Sequence, residues 1–280
     1  MNTVHISPGG RPNEPIARQQ RYAAGRGLGD SAETKKVNRS DRTRSASAGR
    51  RIYAIGDIHG RADLLEKLLE QIRTDADGET ESAILIFLGD YVDRGLEARA
   101  VIDRLLALRD DPAFEPRFLK GNHEHAMLEF MKDSSTAPAW LAFGGAETLY
   151  SYGVRAPAAI PSPDELRRTA EALRAALPRD HLGFLKELEL VIRYGKYVFV
   201  HAGLRPGRSL EEQVEDDLLT IREPFMRSQR KWPFVVVHGH TPEPNVHVDE
   251  RRIGVDTGAY ATGRLSAVRL EGDDISVLST

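Results

Sequence analysis

From Arg51 onward the apolar positions of the chain switch between two periods. Arg51–Ile55 and Ala83–Leu88 are short, nearly continuous apolar runs of strand length, and between them Leu64, Leu65, Leu68, Leu69 and Ile72 recur at helical spacing. This is the pattern of a strand–helix–strand unit. Val101, Ile102, Leu105, Leu106 and Leu108 predict a second helix, Arg117–Leu119 a short strand, and Glu124–Met131 a third helix. Residues 138–188 then read as a mostly helical insertion, in which Asp164–Leu177 is amphipathic and is stopped by Pro178. Tyr194-Gly195-Lys196 predicts a hairpin turn joining Leu190–Arg193 to Tyr197–Val200. Further strands are expected near Phe234–Val237, Arg252–Val255, Leu265–Leu270 and Ile275–Leu278. The first half is therefore α/β and the end mostly β, which predicts an α/β (α+β) fold of two packed mixed sheets flanked by helices.

Residues 1–49 follow neither period. They are rich in Gly, Ser, Arg and Pro with isolated apolar positions, the composition of a segment that cannot bury enough surface to order itself. The expected organisation is a disordered basic tail over 1–49 and a catalytic domain over 50–280. Charge divides at the same place: the first 50 residues carry ten Lys/Arg against four Asp/Glu, a balance of +6, and the remainder carries −9. Such a tail suits acidic partners, or the acidic body itself at Glu211, Glu212, Glu215, Asp216 and Asp217. Nucleic acid is not an expected partner, because Tyr22 is the tail's single aromatic and base stacking needs more. The chain has no cysteine, so disulfides and thiolate ligands are excluded and any metal must be held by oxygen and nitrogen. No apolar run reaches membrane-span length and the first residues lack the apolar stretch of a secretory signal, so a cytoplasmic protein with no membrane contact is expected.

Five short motifs carry the chemistry: Gly56-Asp57-Ile58-His59-Gly60, Gly89-Asp90-Tyr91-Val92-Asp93-Arg94-Gly95, Gly121-Asn122-His123-Glu124, His201-Ala202-Gly203 and Gly239-His240-Thr241. Each places a hard oxygen or imidazole donor beside glycine, and most follow an expected strand, so the donors emerge on tight, open turns at strand ends. A single Asp-x-His is weak, whereas five such motifs in order define a two-metal phosphoesterase centre. Two cations about 3.5–4 Å apart, joined by a carboxylate, supply both a nucleophilic oxygen and neutralisation of phosphoryl charge.

Over about residues 51–270 these motifs resemble the phosphoprotein phosphatases of the calcineurin-like metallophosphoesterase superfamily, in particular the bacterial and bacteriophage lambda type. The Val92-Asp93-Arg94-Gly95 extension and the terminal Glu124 make the likeness specific. The resemblance implies the calcineurin-like fold with a dinuclear site at the strand ends. It implies that Asp57 and His59 hold one metal, that Asp90 bridges, and that Asn122, His201 and His240 hold the other. It further implies that His123 is the general acid paired with Asp93, which raises its proton affinity, and that Arg94, Arg222 and Asn122 contact the substrate phosphate. Arg227 and Arg230 are weaker candidates than Arg222 for the second arginine. The implied cofactors are two divalent ions, Mn²⁺ by family expectation, with Fe, Zn, Co or Ni compatible with the ligand set. The implied activity is a serine/threonine protein phosphatase using a metal-activated water, acting on phosphoproteins or small phosphoesters. Its rivals are a symmetrical dinucleoside-tetraphosphate hydrolase and, from another class, a non-catalytic metal-dependent binding module.

Residues outside this set are read more plainly. His125 and His238 are structural rather than ligands, because six donors already complete the set. Tyr91 either brushes the substrate or packs under its loop. Asp256-Thr257-Gly258 reads as a strand-to-turn element without a catalytic part, and substrate selection is expected around residues 157–188.

Overall fold

The computed structural model describes residues 50–78 and 81–280; the expected tail over 1–49 lies outside them. The first strands and helices alternate: β1 (Ile52–Ile55), α1 (Ala62–Ala76), β2 (Ala83–Phe87), α2 (Ala98–Ala107), β3 (Phe114–Phe118) and α3 (Asn122–Lys132). Four helices follow, α4 (Ala137–Ala142), α5 (Gly145–Ser151), α6 (Pro163–Ala176) and α7 (Arg179–Glu187). The remainder runs β4 (Ile192–Tyr194), β5 (Tyr197–Phe199), α8 (Glu215–Thr220), α9 (Glu223–Met226), β6 (Val235–His238), β7 (His247–Val248), β8 (Arg252–Gly254), α10 (Ala259–Thr262), β9 (Ser266–Glu271) and β10 (Asp274–Ser279).

The strands form two five-stranded mixed sheets, ordered β10-β9-β1-β2-β3 and β4-β5-β6-β8-β7. β1, β2 and β3 are parallel in the first, and β5, β6 and β8 are parallel in the second. All four residues of β1 are buried because its alternate side chains serve different cores. Ile52 and Ala54 join Ile84, Ile86, Phe199, Val237 and Ile253 between the sheets. Tyr53 and Ile55 join Leu65, Leu68 and Ile102 in the layer under the helices. A third cluster packs Val198, Val200 and Val236 against Leu218, Ile221 and Phe225 of the α8–α9 region. A strand buried on both faces must read as a continuous apolar run, which is the signal β1 and β2 give. The α1 stripe Leu64, Leu65, Leu68, Leu69 and Ile72 is wholly buried, at about 1.5–3 kcal/mol per side chain.

Three local expectations are adjusted. β3 begins at Phe114 rather than Arg117 and includes Pro116; it lies at a sheet edge, where a missing N–H costs no ladder bond. The two-residue β7 and the four-residue α9 and α10 are too short to leave a period. Helices α6 and α7 bury Leu166, Ala170, Leu173, Phe184 and Leu185 in the core under the helices, where Phe184 packs 5.7 Å from Tyr91 of a motif turn. No helix among the described residues is long and apolar enough to cross a membrane.

Candidate metal centre

Each motif follows a parallel strand: Asp57 and His59 stand on the turn after β1, Asp90 after β2, His201 after β5 and His240 after β6, while Asn122 and His123 open α3, which follows β3. The turns from the two sheets are bonded to one another. Ile58 and His59 N–H donate to Asp90 O at 3.1 and 2.8 Å, Gly239 N–H donates to His201 O at 2.8 Å, and His240 N–H donates to the Asp57 carboxylate at 3.0 Å. A Cβ on Gly121 would overlap Asp90 Oδ1, and one on Gly239 would overlap Asp57 Oδ1, so glycine is what lets the backbone approach these carboxylates.

Backbone strain marks the same place. Among the described residues, five non-glycine residues have left-handed φ: His59 (47°), Asp90 (54°), Asp93 (69°), Arg94 (67°) and His240 (64°). All five belong to the motifs. Such conformations cost of order 1–3 kcal/mol each and persist where surrounding structure imposes them.

A cavity of about 180 Å³ is lined by Asp57, His59, Asp90, Arg94, His123, Arg222 and His240, joined by Pro242, Asp256 and Tyr260. Two sets of ligand atoms converge on it: His59, Asp90 and His123 form one, and Asp90, His201 and His240 the other, so Asp90 is common to both. Proton placement shows what these atoms lack. His201 Nδ1 lies 2.7 Å from the Leu88 carbonyl, which can only accept, so the ring proton is on Nδ1. Its Nε2 lone pair then faces Asn122 Oδ1 at 3.0 Å and Asp90 Oδ1 at 3.4 Å. His59 repeats the arrangement, with Nδ1–H on Val92 O at 2.9 Å and Nε2 facing Asp90 Oδ2 at 3.5 Å. Acceptors aimed at one another with no proton between them fit a cation, and the imidazole, carboxylate and amide donors suit a first-row divalent ion.

The electrostatics agree. Burial pushes the His59 and His201 imidazoles below their ordinary values, and His240 down to about 2. Burial, with Asp256 and Asp90 nearby, pushes the Asp57 carboxyl well up. Asp256 rises to about 6 through burial and the Asp90 charge. Bare imidazoles beside crowded carboxylates are the environment that positive charge relieves.

His123 stacks edge-on to His59, with centroids 4.5 Å apart, and its Nδ1 lies 2.7 Å from Asp93 Oδ2. Asp93 is wholly buried behind it, accepting from Thr148 Oγ1–H at 2.7 Å and from the Trp140 indole N–H at 3.1 Å. Burial outweighs the nearby Asp90 charge and leaves His123 below its ordinary value, so the net direction is opposite to the raised proton affinity expected from its acid partner. The cavity draws Arg222, whose Nε–H donates to His240 Nε2 at 3.1 Å. Arg227 instead pairs with Glu223, and Arg230 lies over the Trp232 ring.

Several residues have structural parts that their place in the chain does not announce. Glu124 is fully buried and accepts N–H bonds from Asp90 (2.9 Å), Tyr91 (2.7 Å), Val92 (3.2 Å) and Gly121 (2.9 Å), clamping the Asp90 turn to the start of α3. Burial and Asp90 push its carboxyl up to about 8 against those donors. Trp140 and Thr148, from α4 and α5, anchor Asp93. Asp256 lines the cavity rather than serving only as a turn, because β8 ends beside β6 and delivers it next to Asp57. No residue of 157–188 lines this cavity. Tyr91 is buried and donates its hydroxyl to Leu119 O at 2.6 Å, so it packs under the loop. His238 is buried against Arg252, and His125 lies 3.6 Å from Glu215. Of the acidic residues offered to the tail, Asp217 is buried and paired with Arg205 and Arg208, and Glu215 pairs with Lys120; Glu211, Glu212 and Asp216 remain exposed.

Glu124→Ala leaves four N–H groups without their acceptor. We expect a loss of about 3 kcal/mol and a fall in Tm of roughly 6–12 °C, read by thermal unfolding. An unchanged Tm would show that the clamp contributes nothing.

The chain belongs to the calcineurin-like phosphoesterase family, whose model matches residues 50–275. It is a metallophosphoesterase. It is 30% identical over 234 residues to serine/threonine-protein phosphatase 1 of Salmonella typhimurium, covering 79% of this chain and 93% of that protein. It is 26% identical over 247 residues to the asymmetrical bis(5'-nucleosyl)-tetraphosphatase PrpE of Bacillus velezensis, covering 81% and 92%. Among solved structures, the cold-active protein-tyrosine phosphatase of a psychrophile Shewanella sp. shares the fold with a TM-score of 0.51 at 14% identity, covering 82% of this chain and 80% of that one.

Proposed function

We propose that the protein is a serine/threonine phosphoprotein phosphatase of the cytoplasm, with Asp57 and His59 holding one divalent ion, Asn122, His201 and His240 a second, and Asp90 both. When bound, the two ions supply Lewis acidity to the phosphoryl oxygens and lower the pKa of a water that becomes the nucleophile. Mn²⁺ is the ion we would supply first. The chain's own groups do the rest. His123, fixed by the buried Asp93, delivers a proton to the departing alkoxide. Arg94, Arg222 and the Asn122 amide hold the phosphoryl oxygens, for which planar guanidinium groups are suited.

The observation that carries this reading is the His123–Asp93 bond of 2.7 Å, anchored by Trp140 and Thr148 and set beside the convergent donors and Arg94. A module that only bound metal would need neither a poised proton donor nor buried support for it. The protein-phosphatase assignment is supported by the small cavity, which suits one phosphoryl group on a side chain, and by the 30% identity to a serine/threonine phosphatase. Likeness to a bis(5'-nucleosyl)-tetraphosphatase keeps a dinucleoside polyphosphate as the second reading.

Purified protein with Mn²⁺ is tested on a phosphoserine peptide, on p-nitrophenyl phosphate and on diadenosine tetraphosphate. We expect the first two to be hydrolysed and the dinucleotide to be turned over at least about tenfold less efficiently, as kcat/KM. Faster cleavage of the dinucleotide favours the second reading. Metal binding without turnover of any of the three contradicts an enzyme.

A further inference from the structure

Resting on the reading of Arg94 as a phosphate clamp, we propose that Tyr260 is a positioning residue that holds the Arg94 guanidinium ready for substrate through its ring face. Nothing in the motifs points to Tyr260. The residue is 40% exposed and lines the cavity. The Arg94 guanidinium carbon lies 4.3 Å from the ring centroid, and the His59 and Tyr260 rings are nearly perpendicular, with centroids 5.4 Å apart and an interplanar angle of 83°.

Arg94 needs such support. Its backbone is in the left-handed region and is tied by its N–H to Gly144 O at 3.1 Å, but among the described residues its side chain has no ion pair. Its Nη2 lies 3.5 Å from His123 Nε2. A carboxylate partner would consume the N–H donors that phosphate requires. A ring face attracts the cation through its quadrupole and leaves the in-plane donors free, fixing the guanidinium without blocking it.

The platform is itself held. Tyr260 lies in the short α10, bounded by Gly258 (φ 69°) and Gly263 (φ 70°). Thr262 Oγ1 donates back to Thr257 O at 2.9 Å, and Arg61 Nη1 donates to Ala259 O at 3.2 Å. Ordering a long, flexible side chain before substrate arrives lowers the entropy lost on binding, so its absence should appear in phosphate affinity more than in the chemical step.

The test uses full-length, Mn²⁺-loaded protein and four variants: Tyr260→Leu, Tyr260→Phe, Arg94→Ala and the Arg94→Ala/Tyr260→Leu double. Four quantities are measured: KM and kcat for p-nitrophenyl phosphate and for a phosphoserine peptide, the inhibition constant of inorganic phosphate, and bound metal. Tyr260→Leu is expected to raise both KM values and the phosphate inhibition constant by about three- to tenfold, with a smaller change in kcat and unaltered metal content. Tyr260→Phe, which keeps the ring face, should restore most of the loss. In the Arg94→Ala background the further Tyr260→Leu change should add less than about twofold, because the group it positions is gone. Fully additive losses would overturn the proposal. So would a Tyr260→Leu defect confined to the aryl ester, which would mean that the ring touches the leaving group instead. If Arg94→Ala itself leaves phosphate binding intact, the clamp assignment fails and the positioning role with it. An Arg94→Ala defect without a Tyr260→Leu defect overturns the positioning role alone.

Discussion

Asp90→Asn is expected to abolish turnover, by at least about a thousandfold in kcat, and to reduce bound metal while leaving the domain folded. Asp90 is the residue common to both donor sets, with Oδ1 3.4 Å from His201 Nε2 and Oδ2 3.5 Å from His59 Nε2. The substitution removes charge with little change of shape. Asn tolerates the left-handed backbone at φ 54° better than most residues, and its amide oxygen can still accept the His123 N–H that Asp90 Oδ1 accepts at 3.2 Å. Folding is checked by circular dichroism and thermal unfolding, and metal by elemental analysis after dialysis. A folded Asp90→Asn protein with wild-type activity would remove the basis for two cations sharing one carboxylate.

His123→Asn is expected to discriminate between leaving groups. A serine alkoxide is a poor leaving group and needs a proton as the bond breaks, whereas a nitrophenolate departs without one. The variant should therefore lose about 10²–10³-fold in kcat on a phosphoserine peptide and less than about tenfold on p-nitrophenyl phosphate. Arg94→Ala, acting on the phosphoryl group common to both esters, should slow the two alike. Because Asp93 is buried with Thr148 and Trp140 and bonded to His123, Asp93→Asn should share the His123 pattern in milder form. Equal losses on both esters in His123→Asn would assign that histidine to metal binding, a role its position beside His59 and Asp90 also permits.

The parts of this site legible in the chain are those governed by local rules. Asp57, His59, Asp90, Asn122, His201 and His240 each stand within two residues of a glycine and shortly after an apolar run, and both the run and the glycine are short-range features. The strands themselves were readable because burial on two faces leaves uninterrupted apolar stretches such as Ala83–Leu88. Glu124 stood inside a motif, yet its work is to accept N–H groups from a turn more than thirty residues earlier, which no spacing encodes. Asp256 was hidden for a related reason: it reads as a turn former, and only the pairing of β8 with β6 carries it to Asp57. Trp140 and Thr148 looked like ordinary members of a helical insertion. Arg222 was singled out through resemblance alone, and its place at the cavity depends on how α8 and α9 pack under β6. Asp217 reads in the chain as surface charge, but its neutralising arginines, Arg205 and Arg208, come from a separate turn.

We propose that donors from the five motifs hold two cations sharing Asp90. Electron paramagnetic resonance of the Mn²⁺-loaded full-length protein tests it most directly, because two Mn²⁺ ions bridged by one carboxylate are magnetically coupled and a lone ion is not. We predict a coupled two-ion spectrum in the wild type, with about two Mn²⁺ bound per chain, that gives way to an isolated-ion pattern in Asp90→Asn. An isolated-ion spectrum from fully loaded wild-type protein would contradict the account.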